Sequence, residues 1–162
     1  MGLLYDPSVL GKEQELADVR TAAAALGVTV IASAASTREG LPQAFDAMHR
    51  ERVEALLISE DIFTYGNRTR IVELATQHRL PNIAAFREYV TEGGVFSYGA
   101  SVTERVRHLG RYVGRVLRGT KPSDLPIDQP TRFEFVINAR AARAMELTIP
   151  PTLLLSADEV IE

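Results

Sequence analysis

The sequence of 162 residues contains no cysteine and no tryptophan. Without thiols there are no disulfides, thiolate nucleophiles, zinc–thiolate sites or iron–sulfur clusters. Without tryptophan, stacking surfaces must come from phenylalanine and tyrosine. No stretch approaches the roughly 18–20 consecutive apolar residues that a membrane span needs. The opening Met1-Gly2-Leu3-Leu4-Tyr5-Asp6-Pro7 lacks the positive region and long apolar run of a signal peptide. Charge of neither sign dominates: 18 Lys+Arg against 21 Asp+Glu leave a net −3. Both signs are interspersed, which argues against a nucleic-acid or polybasic membrane surface. The nucleophile-elbow, dinucleotide-binding and P-loop patterns are all missing. His49, His78 and His108 have no metal-ligand spacing and sit in charge-rich helices, where exposure is expected.

Apolar residues make up 46% of the chain, ample for a buried core at this length. Leu3–Tyr5 forms a short strand run closed by Asp6-Pro7-Ser8. Residues 9–26 then carry Val9, Leu16, Val19, Ala23 and Leu26 at helical spacing, with Lys12, Glu13, Glu15 and Asp18 opposite and Gly27 as the stop. Val28–Ala32 reads as a strand covered on both faces. Ser36-Thr37-Arg38-Glu39 has the form of a capping box before a helix marked by Leu41, Phe45 and Met48. A third strand follows at Val53–Ile58, a helix from Asn67 to Arg79 and a fourth strand at Asn82–Phe86. Strand signals thus recur about every 26–28 residues, the length of one strand, one helix and two turns. The pattern predicts an α/β fold: an open parallel sheet joined by right-handed crossovers, with helices on both faces.

The rhythm changes after Gly93-Gly94. A strand at Val95–Tyr98 leads, through a capping box at Ser101–Glu104, into an amphipathic helix ending at Leu117. Residues Lys121 to Pro130 hold three prolines and read as an extended connector. A strand at Phe133–Ile137, a short helix at Ala139–Met145 and a last apolar helix at Thr152–Leu155 complete the chain. The expected division is an α/β lobe over residues 1–92 and, over 93–162, segments that cross a hinge or pack elsewhere.

In an open parallel sheet, ligands bind at the carboxyl ends of the strands, beside helix N-termini. That rule selects Asp6 and Ser8 after the first strand, Ser33 after the second, Ser59 and Asp61 after the third, and Arg87 and Glu88 after the fourth. Free helix N–H groups there favour a carboxylate or phosphate. Helix capping is the competing role for Asp6, Ser8, Ser36 and Asp61. A magnesium site built from Asp6, Glu60, Asp61 and Glu88 lacks the matching lysine and hydroxyl pair, so no metal and no cofactor is expected. Arg105, Arg107, Arg111, Arg115 and Arg118 form a basic face better explained by solvent and Glu104 than by nucleic acid.

The second half carries a long ordered series: Phe86-Arg87-Glu88-Tyr89-Val90, Glu92-Gly93-Gly94-Val95-Phe96-Ser97-Tyr98-Gly99, Leu117-Arg118-Gly119-Thr120-Lys121-Pro122, Phe133-Glu134 and Leu147-Thr148-Ile149-Pro150-Pro151. It resembles the ABC-transporter substrate-binding proteins of the tryptophan/tyrosine type. That resemblance implies one lobe of a type I periplasmic-binding-protein-like fold and no catalysis. It implies capture of a small solute, such as an aromatic amino acid, in a cleft between two lobes that close by a hinge. The implied partners are a membrane ABC permease and a first lobe absent from this chain, and the implied location is the periplasm, or the membrane surface through a lipid anchor. By the same resemblance Asp61 would accept a ligand's ammonium, Arg87 and Glu88 match the Arg-Glu after the fourth strand, and Tyr98 lies on the hinge side. Asp6 stands where the family has asparagine, and Ser59 where relatives are often apolar. Phe63, Tyr65, Phe86 and Tyr98 are the aromatic candidates. Val95, Phe96, Phe133 and Phe135 are expected to form an apolar face that supports a homodimer of the isolated chain. The alternative is a ligand-sensing module of the same fold from a transcription regulator or receptor.

Overall fold

A computed structural model describes residues 1–127, 129 and 132–162. The first part of the chain runs β1 (Gly2–Tyr5), α1 (Lys12–Ala25), β2 (Ile31–Ala34), α2 (Leu41–Arg50), β3 (Leu56–Ile58), α3 (Ile62–Gly66), α4 (Arg68–Gln77) and β4 (Asn82–Ala84). It continues through α5 (Arg87–Thr91), β5 (Phe96–Ala100), α6 (Val102–Leu117), β6 (Phe133–Asn138), α7 (Ala139–Ala144), α8 (Pro151–Ser156) and β7 (Glu159–Ile161). All strands join one seven-stranded sheet of order β2-β1-β3-β4-β5-β6-β7. Its first five strands are parallel; β6 pairs antiparallel with β5, and β7 parallel with β6.

The strand order decides where the helices lie. The β1-to-β2 step moves one way across the sheet and the later steps move the other way. Right-handed crossovers therefore put α1 on one face and α2, α4 and α5 on the opposite face. Leu41, Phe45 and Met48 of α2 and Ile71, Leu74 and Ala75 of α4 are buried with Leu4, Leu56 and Ile58 of the sheet and with Tyr89 of α5. Each large side chain buried in this way contributes about 1.5–3 kcal/mol. By contrast α1 buries only Lys12 and Ala23, and Leu26, expected on its inner stripe, is exposed.

Several elements differ from the sequence reading. The second strand begins at Ile31 rather than Val28, because its register is set by pairing Gly2 with Ile31 at the start of β1. Ser36 caps no helix: its hydroxyl donates to Asp6 Oδ1, and Thr37 instead caps a 3-10 turn at Arg38–Gly40. The helix expected over 67–79 forms as α4, and a separate short helix α3 that was not expected precedes it. Asp61 takes the capping role weighed for it, in a full capping box with Thr64 at the start of α3. Ser101 does cap α6, accepting from the Glu104 amide at 3.5 Å. Short helix α5 and strand β7 were not foreseen. Pro130, the end of the expected connector, lies outside the described residues. His78 and His108 are half-buried rather than exposed, His78 lying 5.7 Å from the Phe45 ring. Val95 is fully buried, and Phe96 and Phe135 half-buried, so of the four residues expected to form an open apolar face only Phe133 is exposed.

Glycine is required where β4 leads into α5. A Cβ on Gly99 would stand 2.2 Å from the backbone oxygen of Ala85, so β5 approaches that turn more closely than any side chain permits. The close passage brings β5 beside the carboxyl end of β4, next to the edge where candidate residues gather.

Candidate functional site

The parallel strands deliver the ends of β1, β3 and β4, and the starts of α1, α3 and α5, to one edge of the sheet. At the end of β1 the Asp6 carboxylate is buried, and one of its oxygens accepts three hydrogen bonds. They come from the Ser8 amide at 2.9 Å, the Ser8 hydroxyl at 2.8 Å and the Ser36 hydroxyl at 2.6 Å. Desolvation alone would push this carboxyl up. The three hydrogen bonds and the nearby Lys12 charge outweigh it and hold Asp6 below its ordinary value of 3.8. Asp6 is therefore an ionised, internally satisfied group. It ties the β1 turn to the β2 turn.

The second cluster lies between α1 and the β3–α3 turn. Lys12, the first residue of α1, is only 5% exposed. Its ammonium donates to Glu15 Oε2 at 2.7 Å, to the Glu60 carbonyl at 3.0 Å and to the Ser59 hydroxyl. Ser59 in turn donates to Glu15 Oε1 at 2.5 Å. Asp61 Oδ2 lies 3.4 Å from the same ammonium, and its carboxylate is 1% exposed. Asp61 Oδ1 accepts the Thr64 amide at 2.7 Å, and the Thr64 hydroxyl donates to the Ser59 carbonyl at 2.7 Å. Glu60 points outward and pairs with Arg105 of α6 at 3.6 Å.

An aromatic pair borders these charges. Tyr65 and Phe86 meet edge to face at 5.0 Å, Arg68 covers the Tyr65 ring at 4.9 Å, and Arg105 covers Phe86 at 5.3 Å. Beneath them Tyr89 is almost fully buried, and burial pushes its phenol up to about 12. The nearby Asp61 carboxylate acts in the same sense, while Thr64 and Arg68 pull the other way.

The remaining sequence candidates have separate places. Ser33 is buried within β2, opposite Leu4. Arg87 forms a two-pronged pair with Glu159 of β7, both contacts at 2.9 Å, which ties the start of α5 to the far side of the sheet. Glu88 and Ser97 each hold a buried oxygen without a protein hydrogen-bond partner, and both line a cavity of about 20 Å³ beside Arg87 and Gly99. Tyr98 is 58% exposed and stacks on Phe133 at 5.7 Å. A larger cleft of about 830 Å³ lies between α6 and the following connector, lined by Arg105, Leu109, Tyr112 and Leu125. Among the described residues no group of three or more His, Asp or Glu side chains is placed to hold a metal ion. Among the same residues no helix is long and apolar enough to cross a membrane.

Sequence reasoning placed Ser59 and Asp61 at this edge but missed the cation between them. Lys12 sits on the polar side of α1 by periodicity, and nothing local marks it as buried. The available signals were that the chain has only two lysines, and that Lys12 directly follows Gly11, which adopts a φ of 88° where the turn enters the helix.

The architecture defines an α/β lobe of the periplasmic-binding-protein-like kind. The family model described as "ABC transporter substrate binding protein" matches residues 1–161, and the chain belongs to that family. Among solved structures, a conserved domain protein from Vibrio cholerae O1 biovar El Tor is similar, with TM-score 0.88, 23% identity, and coverage of 98% of this chain and 53% of that one. An ABC domain from Streptococcus pneumoniae in complex with L-Trp has TM-score 0.87, 24% identity, and coverage of 99% and 55%. The ligand-free, open form of CD0873, a substrate-binding protein with adhesive properties from Clostridium difficile, has TM-score 0.70, 17% identity, and coverage of 99% and 53%. The chain thus spans about half the length of these structures. Among curated proteins, none matches it.

Proposed function

We propose that the carboxyl edge of this sheet is one wall of a cleft that captures a small solute for an ABC importer. A second lobe supplies the opposite wall and a membrane permease receives the closed form. The observation that carries the reading is the family match over residues 1–161, joined to a carboxyl edge rich in fixed polar groups and bordered by the Tyr65–Phe86 pair. The L-Trp bound to the pneumococcal structure supports an aromatic solute among the ligands to be tried. The reaction is binding with closure and involves no covalent step. The periplasm, or the membrane surface through a lipid anchor, is the location that fits this role. In the same reading Ser8, Ser36, Glu60, Arg105 and Tyr98 are the groups that reach the cleft, whereas Asp6, Ser33, Ser59 and Asp61 shape it from beneath.

One wall alone leaves most of a ligand in water, so the isolated chain is expected to bind weakly, with Kd above about 1 mM. An NMR titration of the labelled chain with L-tryptophan tests this. Shifts confined to the 6–8, 59–65 and 86–88 turns and unsaturated at millimolar ligand support the reading. Micromolar affinity, or shifts only on the far edge of the sheet, would overturn it. The apolar stripe of α6 (Val106, Leu109, Val113 and Leu117, all at least 49% exposed) is the face through which copies of the isolated chain associate in this reading. Light scattering over a concentration series reads that association directly.

A further inference from the structure

We propose that the pocket at the β3–α3 turn is an ammonium-recognition site which the chain fills with its own lysine. The ammonium of Lys12 has three N–H donors, and all are used: on Glu15, on Ser59 and on the Glu60 carbonyl. Asp61 Oδ2 lies at 3.4 Å as a fourth, purely electrostatic neighbour, and it has no hydrogen-bond partner although it is buried. Three acceptors around a nitrogen, with a carboxylate closing the fourth side, are the groups a primary ammonium requires.

Stability alone explains this arrangement poorly. Lys12 is the first residue of α1, where the positive end of the helix dipole disfavours a cation. Its burial adds a desolvation cost that a pair of apolar side chains would avoid. Both costs are met at a sheet edge where this fold type binds ligands. The consequence rests on the solute-binding reading above: with its carboxylate already engaged, Asp61 does not receive a ligand's ammonium. Solutes held at this edge are recognised there through groups other than a cation on Asp61. Lys12 is accordingly a specificity-determining residue that acts by occupancy.

The test uses the chain as it stands and needs no solute. Lys12→Ala removes three methylenes and the ammonium, which n-propylammonium replaces atom for atom. Thermal unfolding is followed in about 50 mM n-propylammonium chloride against tetramethylammonium chloride at equal concentration, whose methyl groups cannot donate. The variant is expected to gain about 2–4 °C in the primary amine, and the parent chain nothing. An equal gain in the parent chain would mean that Asp61 still admits an external ammonium, and no gain in the variant would mean that no such site exists; either result overturns the proposal. Should Lys12→Ala not fold, amine acetylation of the parent chain decides. Lys12 is expected to react at least about tenfold more slowly than exposed Lys121, and equal rates would refute an ammonium locked in place. Neither readout involves transport, so failure of the importer reading leaves both results as they are.

Discussion

Replacing Lys12 by methionine keeps most of the buried stem and removes the ammonium, its charge and its three hydrogen bonds together, which makes it a direct probe of the edge. The Asp61 carboxylate, 1% exposed, would then keep the Thr64 amide and lose its nearest cation. Breaking a buried pair from one side costs about 3–5 kcal/mol, because the surviving charge is left uncompensated. Glu15 adds little: its side chain is 37% exposed and water screens it. Against a total stability of about 5–15 kcal/mol, Lys12→Met removes about a fifth or more. Adding Asp61→Asn to the same chain takes away the stranded charge. Asparagine also caps a helix about as well as aspartate, so α3 keeps its start. The double variant is therefore expected to be more stable than Lys12→Met alone, with a coupling of about 1.5–3 kcal/mol between the positions. Urea unfolding followed by far-UV circular dichroism measures all four corners of the cycle, with an unchanged m value showing that the denatured state is not the cause. A Lys12→Met variant within about 0.5 kcal/mol of the parent, or strict additivity, would refute the claim that this cation is desolvated and paired.

Other expectations concern backbone fit and protonation. Gly99→Ala pushes a methyl group to 2.2 Å from the Ala85 oxygen, so β5 must shift; a loss of about 1–3 kcal/mol is expected by chemical denaturation, and a neutral change would contradict the close passage. Asp6 titrates below its ordinary value in the folded chain, so its contribution is fully present above about pH 4 and fades as pH falls through the folded value. The stability gap between the parent and Asp6→Asn should accordingly be constant near neutrality and shrink in acid. Tyr89 behaves in the opposite sense. With its phenol raised from 10.0 to about 12, the fold loses stability as pH climbs between those values, and Tyr89→Phe should remove that part of the alkaline decline. In an ultraviolet titration one of the five tyrosines should ionise after the others; simultaneous ionisation of all five in the folded chain would count against the burial of Tyr89.

The sequence by itself determined the alternation. Apolar runs of four to six residues, helical stripes such as Leu41-Phe45-Met48, and glycine stops such as Gly27 (φ 68°) act over a few residues. They can therefore be read without knowing the fold. The ordered series from Phe86 onward was equally legible, and the family it resembles is the one whose model matches residues 1–161. The sheet-edge rule also named Asp6, Ser59 and Asp61 before any coordinates, since parallel topology follows from the alternation.

Tertiary structure decided the rest, where the deciding partner is far away along the chain. The Lys12 ammonium meets Ser59 across 47 residues, so no periodicity in α1 could show that this polar position faces inward. Ser36 is drawn from its expected cap to Asp6 across 30 residues, because its hydroxyl gains more by donating to a buried, ionised carboxylate than by accepting at an exposed helix start. Strand β2 begins at Ile31 because β1 fixes its register, β6 extends the same sheet along the open edge of β5, and β7 extends it along the edge of β6. Local pattern fixed which segments are strands and helices. Long-range pairing, driven by the cost of leaving buried charges and backbone groups unsatisfied, decided which side chains form the site.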